Sequence, residues 1–351
     1  MRTLIVKLGA IGDVIMTIPA ARLLHQQGHQ IDWVCGNSVL PILQLYPWIN
    51  PLVVDDRAVF AGTRSAKLAV LFKLWRILAF RRYDLVATLH YDERYNLLTR
   101  PIRTARRIQL SDTDRRFRLL PGRHHTDEFA RILLSWPDEL RPLPLAPVAP
   151  ETLPASPLPR GSKPRVLLAP AGARNIKSDD RLRRWQPENY VALTQLLLAE
   201  GFEVVLIGGP DDAWIQPQFN GVEVTDMIGK LKLPETLALM DASDMLVTHD
   251  TGPLHMAGIT RTSIVAIFGP TDPRGRLPQR AGTVALWGGE GFACRPCYDG
   301  HSFADCPANE CMRQVTPAMV RDEALALIAA RSVGELPAPR VVSPISTVGG
   351  R

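Results

Sequence analysis

Short runs of apolar residues, many of them β-branched, alternate with amphipathic segments along most of this 351-residue chain. The apolar runs lie at 3–7, 31–35, 52–56, 84–90, 165–170, 203–209, 244–250 and 263–269. The amphipathic segments lie at 14–27, 66–82, 187–200, 234–241 and 317–331. Alternation of strands with helices is typical of a parallel sheet with helices on both faces, so we predict an α/β fold.

Prolines divide this pattern into two halves. Nine of the thirty prolines lie between Pro137 and Pro164. Proline fixes φ and has no N–H to donate, so this stretch cannot form a helix or a central strand. We predict an N-terminal Rossmann-like domain at 1–140, a linker at 141–164, a C-terminal Rossmann-like domain at 165–332 and a flexible tail at 333–351. Ligands are expected in a cleft that faces the carboxyl ends of the strands.

The charge balance of the chain indicates an anionic partner. Lys and Arg outnumber Asp and Glu by 41 to 35, which gives a formal net charge of +6. This surplus suits a phosphorylated glycan, a nucleotide, an acidic membrane or a nucleic acid. No run approaches the ~18 unbroken apolar residues that span a bilayer, and the first residues lack the layout of a signal peptide. We therefore expect a folded protein of the cytoplasm.

The turn after the first predicted strand holds two glycines and a carboxylate. Gly9 and Gly12 let the backbone pass close to a ligand at the start of a helix. Their G-x-x-G spacing differs from the dinucleotide fingerprint, and the second run ends without an acid to hold a ribose, which argues against NAD. Asp13 is placed for general-base work beside a cleft, although capping of the helix explains it equally well.

A second polar cluster closes the run at 244–250 and continues beyond it. Asp250, Thr251 and His255 supply an acceptor, a hydroxyl and a titratable donor within two helical turns. Gly252 and the proline after it end the strand and open a helix whose first N–H groups would face the cleft. Helix capping explains Asp250 or Thr251 singly but not the whole cluster, so we predict a phosphate or sugar site.

A basic segment follows the run at 165–170. Arg183 and Arg184 lie behind an Ala-Gly-Ala turn, and guanidinium groups in this position suit a pyrophosphate. A solvated basic loop is the alternative interpretation. Asp211 follows the next run in the same orientation, where a carboxylate can accept a hydrogen bond from a ribose hydroxyl.

Five segments follow one another in order: LIVKLGAIGDVIMTIPA, APAGA with its basic-Trp pair, LIGGPDD, DTGPLHMAG and IFGPTDP. Over about residues 1–330 the chain therefore resembles glycosyltransferase family 9, the bacterial ADP-heptose heptosyltransferases. The resemblance implies the GT-B architecture, in which two Rossmann-like domains face each other across a cleft. It also implies an inverting reaction without a metal or other cofactor for catalysis.

The resemblance assigns roles to single positions. Asp13 matches the family's proposed catalytic base, which takes the proton of the acceptor hydroxyl as that oxygen attacks the anomeric carbon. Arg183 stands where the family often has lysine, and Arg184 is an alternative for the same role. Asp211 falls near a ribose-binding acid and Leu231 near an adenine contact. The donor-binding positions implied in this way are Arg183, Arg184, Asp211, Leu231, Asp250, Thr251, Gly252 and His255.

The N-terminal domain is expected to bind the acceptor, which the resemblance implies to be an acidic core oligosaccharide of lipopolysaccharide. Seven arginines lie between Arg100 and Arg118, and guanidinium forks suit carboxylates and phosphates. The candidates are Arg100, Arg103, Arg106 and Arg107, although a solvated charged face explains any one of them equally well. Nucleic acid is not expected, because no aromatic platform accompanies these charges.

The apolar run at 68–80 carries two basic residues and is followed by two more. It is too short to span a bilayer but long enough to lie on an anionic inner leaflet. The favoured alternative is a helix that is partly buried in the domain, because helical periodicity explains most of its apolar positions. Peripheral membrane contact stays plausible because the implied acceptor is anchored in lipid.

Four of the five cysteines form a C-x2-C-x8-C-x4-C pattern: Cys294, Cys297, Cys306 and Cys311. Four thiolates suit a structural zinc or iron ion, and His301 is a possible substitute ligand. Packed thiols are the alternative interpretation. Some protein-modifying relatives of the family hold iron in a cysteine finger, whereas many relatives carry similar thiols without an assigned metal.

The leading hypothesis is therefore an inverting glycosyltransferase that moves heptose from ADP-heptose to a lipid-linked, acidic lipopolysaccharide core. Three alternatives remain: transfer of heptose to a surface protein, epimerisation of a nucleotide sugar on the same fold, and a non-catalytic nucleotide-binding module. Asp13 favours transfer over mere binding, because a binding module needs no base opposite its nucleotide site.

Overall fold

Each half of the chain folds around one parallel β-sheet. The computed structural model describes residues 1–137, 141–174, 179–300 and 302–344. The chain divides into two compact units, Met1–Val148 and Ala149–Arg351. This division falls inside the proline-rich stretch for which we predict a linker.

The N-terminal unit has a five-stranded sheet. Its strands are β1 (Arg2–Val6), β2 (Gln30–Gly36), β3 (Ile49–Val54), β4 (Tyr83–Thr88) and β5 (Thr104–Gln109). They pair in parallel in the order β3-β2-β1-β4-β5. Its helices are α1 (Ile11–Gln26), α2 (Leu40–Leu43), α3 (Asp56–Ala61), α4 (Arg64–Leu78) and α5 (His125–Leu134).

The C-terminal unit has a seven-stranded sheet. Its strands are β6 (Arg165–Ala169), β7 (Glu203–Leu206), β8 (Thr225–Asp226), β9 (Met245–His249), β10 (Ser263–Phe268), β11 (Thr283–Trp287) and β12 (Arg340–Val342). They are all parallel, in the order β12-β11-β10-β9-β6-β7-β8. Its helices are α6 (Pro187–Ala199), α7 (Leu233–Asp241), α8 (Gly252–Gly258), α9 (Glu310–Arg313) and α10 (Pro317–Ser332).

Burial on both faces explains why the central strands read as continuous apolar runs. Strands β6, β9 and β10 are buried along their whole length. Trp185 is fully buried in the core of the C-terminal unit, and its indole N–H donates to the backbone O of Val315 at 2.9 Å. That bond satisfies the single polar group of the largest side chain in this core.

The strand order reverses at the same place in both sheets. The first strand of each unit lies between the second and the fourth, so β1 adjoins β4 and β6 adjoins β9. The chain connections therefore run to opposite sides of the first strand. This arrangement opens a crevice between the carboxyl ends of the first and fourth strands of each unit. The polar residues after β1, β4, β6 and β9 are therefore the candidates for binding and chemistry.

Each of the eight apolar runs overlaps a strand, and both units confirm the predicted α/β class. The three residues Arg340–Val342, which belong to the segment predicted as a tail, form β12 and pair with β11. Three residues are too few to show alternation, so this strand has no periodic signal. Among the described residues, no helix combines the length and apolar character needed to cross a bilayer.

Candidate functional site

Asp13 lies in the first turn of α1, directly after the loop that leaves β1. Its Oδ2 atom is 2.8 Å from the Nζ atom of Lys7, and its side chain is 34% exposed. The cap position of α1 is occupied by Ala10, which makes no side-chain cap bond. Asp13 is therefore not the N-cap residue of this helix, and its carboxylate combines a fixed cation with access to solvent.

Lys7 holds the carboxylate of Asp13 in place. It was not among the predicted site residues. The residue is 5% exposed, and its Nζ atom also donates to the backbone O of Leu89 at 3.0 Å. The ammonium lies 5.9 Å from the ring centre of Phe129. A lysine that ends an apolar strand run, as in LIVK, is the signal that could have identified it.

The carboxyl end of β4 brings two aromatic polar residues to the same edge. The N–H of Leu8 donates to Nε2 of His90 at 3.1 Å. Tyr91 accepts at its hydroxyl from the N–H of Leu119 at 3.0 Å. Burial raises the pKa of the Tyr91 phenol, and the charges of Asp13 and Arg118 act on that pKa in opposite directions. Asp13, Tyr91 and Arg118 are thus electrostatic neighbours.

The two glycines before Asp13 differ in their surroundings. A Cβ atom added to Gly9 would meet no heavy atom within 4 Å, so the loop faces open space there. Gly12 is buried as the second residue of α1. Open space above the loop at Gly9 lets a ligand approach the backbone beside Asp13.

The four predicted acceptor arginines do not gather at this edge. Arg100 and Arg103 precede β5 and so lie toward its amino end, opposite the edge that carries Asp13. Arg106 and Arg107 are neighbours on β5 and point to opposite faces. Arg106 donates to the hydroxyl of Ser135. Arg107 donates to Thr99 Oγ1 at 2.8 Å and to two backbone carbonyls.

Other arginines lie in the loop after β5, and Arg118 among them acts together with Asp13 on the pKa of Tyr91. Arg131 donates to the backbone O of Arg116 at 3.0 Å and of Arg118 at 2.7 Å. Arg131 is itself paired with Glu128 at 2.8 Å, and both side chains are buried. This pair holds the arginine-bearing loop beside Tyr91. The sequence alone did not separate these arginines from those on β5.

In the C-terminal unit, Asp250 follows β9 and anchors two arginines. Its Oδ2 atom lies 3.4 Å from Nη1 of Arg183 and 3.7 Å from Nε of Arg276, and its side chain is 2% exposed. Burial alone would raise the pKa of Asp250, but Arg276 and Arg183 outweigh it and hold that pKa at about 2. His255, nearly buried on α8, contributes in the same direction.

Arg276 was not predicted, yet it completes this cluster. It follows the carboxyl end of β10, the strand beside β9, and its guanidinium lies 5.4 Å from the ring centre of Tyr298. Arg183 is also paired with Asp180 at 3.1 Å. The cluster therefore brings two guanidinium groups together, and guanidinium forks suit phosphate oxygens.

Arg184 has a different partner and braces the turn after β6. Its Nε donates to the backbone O of Gly172 at 2.8 Å, and it is paired with Asp179. Gly172 has a φ of +90°, and an added Cβ would lie 3.5 Å from Thr251. The geometry therefore assigns Arg183 to the Asp250 cluster and Arg184 to the turn.

Buried groups around the Asp250 cluster have a fixed protonation state or fixed hydrogen-bond partners. Burial, with the charges of Arg183 and Arg184, lowers the pKa of His249 to about 3, so its imidazole is neutral. His249 Nδ1 is 3.0 Å from the hydroxyl of Tyr190. Thr251 donates from Oγ1 to the backbone O of His249 at 3.2 Å. Gly252 begins α8 directly after it.

The remaining donor positions lie in loops at the same edge. Asp211 is exposed in the short helical segment after β7. Its neighbour Asp212 accepts from the N–H groups of Gly172 at 2.9 Å and Gly209 at 2.8 Å, so Asp212 braces the loop and leaves Asp211 to face solvent. Leu231 is half-buried between β8 and α7.

Three of the four clustered cysteines lie in the loop between β11 and α9 and Cys311 lies in α9, but they form no metal site among the described residues. No group of three or more His, Cys, Asp or Glu side chains in that part of the chain is arranged to hold a metal ion. His301, the substitute ligand, lies outside the described residues. Cys306 accepts at Sγ from the N–H of Asn309 at 3.3 Å. Burial raises the pKa of Cys297, and raises that of Cys311 to about 11.

The cysteines are expected to differ widely in their reaction with iodoacetamide. Burial raises the pKa of Cys35 to about 12 and that of Cys311 to about 11, whereas Cys294 is exposed. Two pKa units lower the thiolate fraction near neutral pH about 100-fold. Mass spectrometry of the folded, reduced protein should find Cys294 modified at least about 100-fold faster than Cys311. Equal rates would show that Cys311 is not a packed thiol.

Comparison with known proteins places this chain among sugar transferases. The family model described as glycosyltransferase family 9 (heptosyltransferase) matches residues 126–303, half of the chain. The chain is 26% identical over 299 residues to lipopolysaccharide heptosyltransferase 3 of Escherichia coli, covering 80% of this chain and 86% of that protein.

Two solved structures share the fold over almost the whole chain. A family 9 glycosyltransferase from Veillonella parvula has a TM-score of 0.70 at 21% identity, covering 93% of this chain and 97% of that one. The ADP-heptose lipopolysaccharide heptosyltransferase II of E. coli has a TM-score of 0.70 at 18% identity, covering 95% and 100%. This likeness confirms the predicted GT-B fold class.

Proposed function

Since the chain belongs to glycosyltransferase family 9, the heptosyltransferase family, we propose that it moves a heptose from ADP-heptose to an acidic core oligosaccharide of lipopolysaccharide. The E. coli relative that shares its fold is an ADP-heptose lipopolysaccharide heptosyltransferase, and this supports the choice of donor. The curated E. coli relative is a lipopolysaccharide heptosyltransferase, which supports the choice of acceptor.

The observation that carries the proposal is the arginine cluster after β9. Arg183 and Arg276 converge on the buried carboxylate of Asp250. Each guanidinium group has five N–H donors, so Arg183 and Arg276 can donate to a diphosphate while they hold Asp250 and, in the case of Arg183, Asp180. In this proposal Asp250 positions the arginines, which contact the donor, and Asp211 and Leu231 lie toward the ribose and the adenine.

In the proposed reaction, Asp13 accepts the proton of the acceptor hydroxyl while that oxygen attacks the anomeric carbon. The glycosidic bond to the diphosphate breaks in the same displacement, so the anomeric configuration inverts. Negative charge grows on the leaving ADP, and Arg183 and Arg276 stabilise it electrostatically. No metal ion or other cofactor is assigned a step.

The acceptor is proposed to meet the N-terminal unit at the edge that carries Asp13. The guanidinium groups in the loop after β5, which Arg131 and Glu128 hold beside Tyr91, suit the acidic groups of a core oligosaccharide. Because such an acceptor is linked to lipid, the protein is proposed to act in the cytoplasm, at the inner face of the membrane.

Donor selectivity is expected to appear in thermal unfolding. ADP-heptose at about 100 times its dissociation constant should stabilise the protein by about 2.7 kcal/mol through mass action. UDP-glucose and GDP-mannose at the same concentration should raise the melting temperature much less, because the adenine contact is lost. A larger shift with a UDP- or GDP-sugar would contradict the assignment of the donor.

A further inference from the structure

The helix α4 turns much of its apolar surface away from the core. Its buried residues are Leu74 and Leu78, while Val70 and Leu71 pack against the core from partly buried positions. The indole N–H of Trp75 donates to the backbone O of Leu97 at 2.8 Å. These contacts fix the orientation of the helix and therefore fix which side chains it presents to solvent.

The solvent side of α4 carries large apolar residues. Leu68 is 65% exposed, Phe72 is 70% exposed, and Phe80, two residues beyond the helix, is 95% exposed. Leu68 and Phe72 are four residues apart and therefore lie on one face of the helix. Single exposed apolar residues are ordinary, but an apolar strip such as the one that Leu68 and Phe72 form marks a contact surface.

The helix and the residues just after it carry charges of one sign, although Asp55 lines a groove together with Lys73. Residues 64–82 contain six Lys or Arg and no Asp or Glu. Arg81 is paired with Asp32 at 3.0 Å. The other five are exposed: Arg64, Lys67, Lys73, Arg76 and Arg82. Arg76 lies one turn beyond Phe72, so a cation adjoins the apolar strip directly.

The position of α4 relates this surface to the proposed acceptor site. Val53, Val54 and Asp55, at the carboxyl end of β3, line a groove together with Val70, Lys73 and Ile77 of the helix. The groove therefore lies toward the same edge of the parallel sheet as Asp13. A surface beside this groove is on the side of the unit where a lipid-linked acceptor is proposed to enter.

We propose that this α4 surface, defined by Leu68, Phe72, Lys73, Arg76 and Phe80, docks on a bilayer that contains anionic phospholipids. Aromatic and aliphatic side chains enter the boundary between headgroups and acyl chains, while Lys and Arg pair with the lipid phosphates. A second copy of the chain is a poorer occupant, because a twofold interface would bring these cations against their own counterparts.

Vesicle cosedimentation with the full-length protein tests this surface. Wild-type protein should bind vesicles of equimolar phosphatidylglycerol and phosphatidylcholine, and added NaCl should weaken the binding by screening. Vesicles of phosphatidylcholine alone should bind it much less. Phe72→Ser should lower the partition coefficient about 10-fold or more, from the lost apolar insertion. Lys73→Glu should lower it about fivefold or more.

Two matched variants control for general effects. Phe292→Ser removes an exposed phenylalanine from the C-terminal unit, and Arg321→Glu reverses a charge on α10; both should bind mixed vesicles like the wild type. Phe72 is exposed, so Phe72→Ser should keep the wild-type melting temperature. The assay contains neither donor nor acceptor, so its outcome is independent of the proposed reaction.

Three results would overturn the docking surface. The first is that wild-type protein does not bind vesicles containing phosphatidylglycerol, or binds pure phosphatidylcholine vesicles as well as the mixed ones. The second is Phe72→Ser that binds mixed vesicles as tightly as the wild type. The third is a wild-type dimer in sedimentation equilibrium that Phe72→Ser converts to monomer, because it would identify a second copy as the occupant.

Discussion

Asp13→Asn is expected to lower turnover by about 10²–10⁴-fold, the range for loss of one general base. The amide keeps the shape of the side chain and one oxygen that can accept a hydrogen bond from Lys7, but it cannot take a proton. An acceptor hydroxyl is a weak nucleophile at neutral pH, so its attack depends on a base within hydrogen-bond reach. Steady-state rates at saturating donor and acceptor measure the loss.

Two further measurements separate catalysis from structure at Asp13. Donor affinity should barely change in Asp13→Asn, because the proposed donor residues belong to the C-terminal unit. The pH–rate profile should lose its acidic limb in the variant. Asp55→Asn, which alters the carboxylate that caps α3, is the matched control and should keep near-normal turnover. Near-normal turnover of Asp13→Asn with a lowered melting temperature would assign Asp13 a structural role only.

Lys7→Met separates the positioning of the carboxylate from its basicity. The variant retains Asp13 but removes the cation that lies 2.8 Å from it. Since a nearby cation favours the charged form of a carboxylate, the acidic limb of the pH–rate profile should move to higher pH. A purely structural lysine would lower stability without moving that limb.

Arg276→Ala is expected to lower kcat/KM for the donor by about 10²–10³-fold, the usual effect of removing one preorganised electrostatic donor. The guanidinium lies 3.7 Å from Asp250 and 5.4 Å from the ring centre of Tyr298, so it is held in place before the donor arrives. Arg183→Ala should have an effect of the same order, because both arginines share one carboxylate.

The control for Arg276 lies two residues away in the same loop. Arg274 is exposed and paired with Asp272 at 2.7 Å, so Arg274→Ala removes an equal charge without touching the cluster. Its kcat/KM should stay within about threefold of the wild type, since surface ion pairs contribute little. Equal losses in the two variants would mean that overall positive charge, rather than the cluster at Asp250, binds the donor.

The alternation of apolar runs and amphipathic segments predicted most of the central strands, because strands buried on both faces must be apolar throughout. It missed β11, although this strand reads TVALW and is buried at four of its five residues. The strand β5 escaped prediction because it lies at the edge of its sheet and reads TARRIQ. From the sequence alone, its arginines were predicted to bind the acceptor. In the structure, Arg107 instead satisfies carbonyls of its own unit.

The motifs located the loops of the site but not the partners within them. Asp13 and Asp250 were identified because they follow predicted strands. Lys7 was missed although it ends the apolar run LIVK. Arg276 was missed because a pair between residues 250 and 276 depends on which strands are neighbours in the sheet. The pairing of β9 with β10 brings their carboxyl ends together, and no local pattern records it.

The cysteine spacing was equally ambiguous, because four cysteines close together in the sequence can either bind a metal ion or pack as thiols. A Cβ on Gly269 would lie 2.7 Å from Sγ of Cys311, and one on Gly288 would meet the backbone O of Cys311 at 1.8 Å. Cys311 therefore packs directly against Gly269 and Gly288, where a larger residue would clash with it. Such enclosure becomes visible only when the loop is seen against β10 and β11.

The structure of the reaction product decides whether this protein is an inverting heptosyltransferase. The purified protein is incubated with ADP-heptose and a deacylated lipopolysaccharide core, and the products are examined by mass spectrometry and NMR. We expect release of ADP together with a core that has gained one heptose, whose anomeric configuration is opposite to that of the donor. Unchanged core, or a heptose linked with retained configuration, would contradict it.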